Sequence, residues 1–105
     1  MKNQKDIKKK AASETGWVEG SVQDFLQLSD ADMEFIETRL AASRLLKSTR
    51  QARRLTQQVA ASKLHTSQSR LAKMEAGDSS VSIDLLFRSL FSLGVSRKDL
   101  LKALQ

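Results

Sequence analysis

Apolar residues recur along the chain at helical spacing, and a hydroxyl or carboxylate marks the start of each such stretch. Ser21-x-x-Asp24, followed by Phe25 and Leu26, predicts a short helix over about residues 21–27, with Trp17 and Val18 extended before it. Ser29-Asp30-Ala31-Asp32 repeats the signal and opens a longer helix over about residues 30–53. Met33, Ile36 and Leu40 form one stripe on it, and Leu45, Leu46 and Thr49 continue on a shifted face. Its front and back halves are therefore expected to pack on different things. Thr56 caps a next helix, with Val59, Ala60 and the alkyl stem of Lys63 expected inward. Leu64-His65-Thr66 makes a turn, and Ser67 caps a helix that turns Leu71 and Met74 inward and stops at Gly77. After a polar loop, Ile83, Leu86, Phe87, Leu90 and Leu93 line one face of a helix that ends at Gly94. Ser96-x-x-Asp99 then opens a last helix with Leu100, Leu101 and Leu104.

Composition agrees with an all-α fold: among 105 residues there are no Pro, four Gly and 5% aromatics. A chain of this length holds one modest core. Cysteine is absent, which excludes disulfides, thiolate metal sites and a Cys nucleophile. His65 is the single histidine, so a metal centre or a catalytic dyad has no second member. No glycine-rich phosphate loop is present. The sequence supports no enzyme and no cofactor. No apolar run approaches the ~20 residues that span a bilayer, so no membrane association is expected. The expected setting is a bacterial cytoplasm, at the nucleoid.

The net charge of +6 is unevenly spread. Residues 16–38 hold Glu19, Asp24, Asp30, Asp32, Glu34 and Glu37 and no base. Residues 39–74 hold nine bases and no acid. Solvated surfaces normally mix both signs, so the acid-free block reads as a nucleic-acid footprint. Three regions follow: a basic tail over 1–15, an acidic apolar extension over 16–38, and a DNA-binding domain over 39–105.

The stretch from Leu55 to Gly77 closely resembles the helix-turn-helix of the λ-repressor-like (XRE) family. Leu55-Thr56-Gln57 opens its first helix, Ala61 sits in the middle, Ser67-Gln68 opens the recognition helix and Glu75-x-Gly77 closes it. The chain departs from the family at Ala60, where Leu is usual, and at His65, where Gly is usual. His65 is accordingly expected in a left-handed conformation. The resemblance implies a five-helix, all-α λ-repressor-like domain with an N-terminal helical extension. It also implies DNA contacts. Gln57 faces a phosphate from a helix N-terminus, and Ser67, Gln68 and Ser69 stand in the first turn of the recognition helix. Gln suits adenine, while Arg70 and Lys73 suit guanine or phosphate. Arg50 is expected to pair with Glu75 as a structural ion pair.

Trp17, Val18, Val22, Phe25, Leu28 and Phe35 exceed what a small core needs, and they lie among acids. A short acidic apolar segment and a helix leading into an XRE domain resemble HigA-like antitoxins of type II toxin–antitoxin pairs. That likeness implies a basic RelE/HigB-like toxin as partner. One recognition helix reads only a few base pairs, so a homodimer on a palindromic operator in double-stranded DNA is expected. Two alternatives stand beside the antitoxin reading: an XRE regulator without a toxin, and a protein-interaction adaptor that does not read DNA. A single-strand or RNA binder fits less well, because the basic block is nearly without aromatics for bases to stack on.

Overall fold

The computed structural model describes residues 24–105, and no strand occurs among them. Five helices follow one another: α1 (Asp30–Ala52), α2 (Gln57–Lys63), α3 (Gln68–Glu75), α4 (Ile83–Ser92) and α5 (Arg97–Leu104). Asp24 and Phe25 also stand in helical backbone. The expected basic tail, the extended Trp17 and Val18, and the helix start at Ser21 lie outside the described residues. The chain divides into two units between Phe35 and Ile36, and α1 runs unbroken across that point.

The helices start where the sequence places a hydroxyl. At α1 the cap is reciprocal: Asp32 N–H donates to Ser29 Oγ, and Ser29 N–H donates to Asp32 Oδ2, both at 3.0 Å. The Ser29 backbone N–H, and after it the Ser29 hydroxyl, hold the Asp32 carboxyl below its usual range. The cap is therefore complete above the ordinary carboxylate pKa and is lost as pH falls through the lowered one. The Thr56, Ser67, Ser82 and Ser96 side chains each accept a backbone N–H from three residues on.

The first four helices stop in the same way. The N–H groups of Leu55, Thr66, Asp78 and Val95 reach back to the carbonyls of Arg50, Ala61, Lys73 and Leu90, at 2.9 to 3.1 Å. This closing bond requires a left-handed residue just before it. Those residues are Arg54 (φ 58°), His65 (φ 56°), Gly77 (φ 73°) and Gly94 (φ 92°). His65 adopts the conformation expected of it. Arg54 was not anticipated, since no glycine marks the end of α1. At Gly77 a side chain would also collide, because Leu40 Cδ2 lies 2.8 Å from where a Cβ would stand.

Leu46, Leu71, Met74, Leu86 and Leu90 are fully buried, joined by Ala42, Ala60, Ala61, Val81, Leu93, Val95 and Leu100. One expectation needs correction. The inward side of α2 is Ala60 and Ala61, whereas Val59 is 46% exposed and Lys63 is exposed. One residue is about 100° of helix rotation, enough to carry Val59 out of the core when Ala60 faces in. The small pair lets the α2 backbone approach the neighbour it packs on, α3. The inward side of α1 is Ala42, Ser43 and Leu46, with Leu45 partly buried beside it, in keeping with the expected shifted face, while Ile36 and Leu40 on the front stripe are each 37% exposed. In α5, Leu100 is buried but Leu101 is exposed. Two buried hydroxyls complete the core: Ser89 donates to Met74 Sδ at 3.8 Å, while Ser43 Oγ has no hydrogen-bond partner.

Candidate nucleic-acid interface

The rotation of α3 about its axis is set by Leu71 and Met74, both with no exposed surface. With those two inward, Gln68, Ser69, Arg70 and Lys73 are all exposed, and Ala72 is half-buried between them. Ser67 closes the first turn by accepting the Arg70 N–H at 3.0 Å. The N-terminal turn of a helix presents unbonded N–H groups and a partial positive charge. Beside this face lies an open, mostly polar cleft of about 400 Å³, lined by Ser67, Ser69, Arg70, Lys73, Ser80 and Val81.

Ser80 and Val81 were not anticipated from sequence. They belong to the loop after α3, which read only as a polar connection. Its order comes from Asp78, whose Oδ1 accepts the Ser80 N–H at 2.8 Å. Hydrogen bonds from the Ser80 side chain and backbone hold the Asp78 carboxyl below its usual range, and the charges of Lys73 and Arg39 add to this. An aspartate two residues before a serine is a local signal for such a turn.

A buried ion pair sets the angle at which α3 is presented. Arg50 Nε lies 2.6 Å from Glu75 Oε2, and Nη2 donates to Oε1 at 3.1 Å. The third donor, Nη1, reaches the Leu55 carbonyl at 2.8 Å. The Glu75 side chain is only 3% exposed. Gln57 joins the group, since its Nε2 donates to Glu75 Oε1 at 3.2 Å. One carboxylate thus ties the end of α3 to α1 and to the first turn of α2. Removing water from both charges costs about what their attraction returns, so the pair governs geometry more than net stability. Gln57, expected on a phosphate, therefore also has a place inside the protein.

The acid-free block turns out to mix two kinds of cation. Arg50 is in the ion pair, Arg39 bonds to backbone carbonyls of the loop after α3, and the Arg53 guanidinium lies 3.0 Å from where a Cβ on Gly94 would stand. Arg39 and Arg50 are half-buried, whereas Arg53 is exposed like Arg44, Lys47, Arg54, Lys63, Arg70 and Lys73, and the charge run alone did not separate the two groups. In the acidic region, Phe25 is 79% and Phe35 is 52% exposed. Trp17, Val18 and Val22 lie outside the described residues.

A family model described as a helix-turn-helix domain matches residues 41–104. No curated protein and no solved structure matches the chain.

Proposed function

The chain belongs to the helix-turn-helix domain family, and from that premise we propose that it is a sequence-specific repressor acting as a homodimer on palindromic DNA. One observation carries this reading: α3 is buried through Leu71 and Met74 and tied by Glu75, while Gln68, Ser69, Arg70 and Lys73 stand exposed on it. A helix presenting amide, hydroxyl and cationic groups suits the donor and acceptor pattern of a major groove. Gln68 is the reader of an adenine, and Arg70 and Lys73 hold guanine or phosphate. Gln57 and the N-terminus of α2 face a phosphate. One such helix reads only a few base pairs, so two copies sit on half-sites about 34 Å apart. The reading is non-enzymatic, needs no cofactor, and places the protein at a bacterial nucleoid in the cytoplasm.

The finer proposal is that this repressor is an antitoxin. Its support is the exposure of Phe25 and Phe35 within a segment that carries only acids. Aromatic anchors among negative charges suit a basic partner of the RelE/HigB-like toxin class. The partner and the DNA would be steered to opposite ends of the charge reversal at Arg39.

Duplexes selected from a random-sequence pool by the full chain test the first reading. Enrichment of a palindrome is the expected result, and no enrichment at all would favour the adaptor alternative. Co-purification with the product of the adjacent gene tests the second. Deleting residues 1–28 should abolish capture of that product and leave DNA binding in place. Equal capture by both chains would place any toxin elsewhere.

A further inference from the structure

One wall of the cleft beside α3 comes from outside the helix-turn-helix: Ser80 and Val81, in the loop between α3 and α4. The loop's own bonds are short-range. Ser80 N–H goes to Asp78 Oδ1, and Val81 N–H goes to the Asp78 carbonyl at 3.1 Å. Its long-range tie is Arg39 on α1, whose Nη1 donates to the Val81 carbonyl and lies 3.5 Å from that of Asp78. Arg39 stands just before residues 41–104, which the helix-turn-helix model covers. The Val81 side chain is 3% exposed in the core, so this residue is held from one side by packing and from the other by Arg39.

We propose that Arg39 is a positioning residue for DNA binding: by holding the Val81 and Asp78 carbonyls, it sets Ser80 at the cleft beside Arg70 and Lys73. The inference rests on the DNA-binding reading. A guanidinium suits the task because its donors form a planar, rigid fork that spans two oxygens, which a lysine ammonium does not reproduce. Arg39 also lies in the field of the Asp78 carboxylate together with Lys73. The rival account is that Arg39 meets phosphate itself.

The test uses the full chain, a duplex recovered from the random-sequence pool, and dissociation constants measured over a salt series. Arg39→Ala should bind about tenfold more weakly, the factor associated with one hydrogen bond to a charged group. The slope of log affinity against log salt should stay unchanged, because no phosphate contact is lost. Arg70→Ala, the control, should flatten that slope by about 0.9. Arg39→Lys keeps the charge without the fork and should leave most of the loss in place. Arg39→Ala and Ser80→Ala should not add when combined, since both act through one wall. Unchanged affinity in Arg39→Ala, full rescue by lysine, a slope flattened by about 0.9, or simple additivity with Ser80→Ala would each overturn the proposal. Should Arg39→Ala lose its helical circular dichroism, Arg39→Lys and Ser80→Ala carry the test. A wild-type chain that enriches no duplex would remove the DNA-binding reading itself, and this role of Arg39 with it.

Discussion

The two halves of α1 are equally helical, largely opposite in charge, and do different work. From Ala42 to Arg50 the helix buries Ala42, Ser43 and Leu46 and sends Arg50 to the end of α3. From Asp30 to Leu40 it is equally regular and begins with a reciprocal cap, yet Phe35, Ile36 and Leu40 keep a third to a half of their surface exposed. Helical spacing decides which residues share a face; it does not decide whether anything covers that face. The back half packs into the core; at the end of the front half Arg39 reaches the Val81 carbonyl and Leu40 lies beside Gly77, and before them apolar side chains stand among acids.

The sharpest way to break this contrast is at the ion pair. Arg50→Ala leaves the Glu75 carboxylate buried without its cation and should cost about 3–5 kcal/mol in urea unfolding. A loss near zero would mean that α3 is held by apolar packing alone. Next comes a matched pair of truncations. Leu46→Ala should cost about 2–5 kcal/mol, as for other buried leucines, and Ile36→Ala less than about 1 kcal/mol, as for surface positions. Equal losses would mean that the front half is as fully packed as the back.

DNA contacts sharpen the comparison from the other side. Gln68→Ala should cost roughly 1–3 kcal/mol on the recovered operator and relax preference at one base pair. Lys73→Ala should weaken all sequences alike and flatten the salt slope by about 0.9. The smallest effects belong to the helix stops. His65→Gly and Arg54→Gly should each raise stability by about 0.5–1 kcal/mol, the relief of a left-handed non-glycine residue less glycine's added chain entropy. A loss at either position in thermal unfolding would show that the side chain makes a contact worth more than the strain.

The helices and their caps were legible because they depend on neighbours three or four residues away. Thr56, Ser67 and Ser96 each accept the N–H that the sequence assigns to them. Leu71 and Met74 were legible for the same reason. Val59 was misjudged because burial depends on what lies across from a residue, and spacing carries no such information. The basic block was only half legible. Arg70 and Lys73 are separated from Arg39 by its bond to Val81, some forty positions away, which no local pattern announces. Arg54 escaped because the usual marker of a helix stop, a glycine, is missing there.

The central claim is that the exposed face of α3 reads DNA, and a hydroxyl-radical footprint of the full chain on its selected duplex tests it most directly. The account predicts two protected patches, one helical turn or about 34 Å apart and related by the palindrome. It also predicts that Gln68→Ala, Arg70→Ala and Lys73→Ala together erase both patches while the chain stays folded. Protection that survives the triple substitution would contradict the account and place the DNA on another face of the molecule.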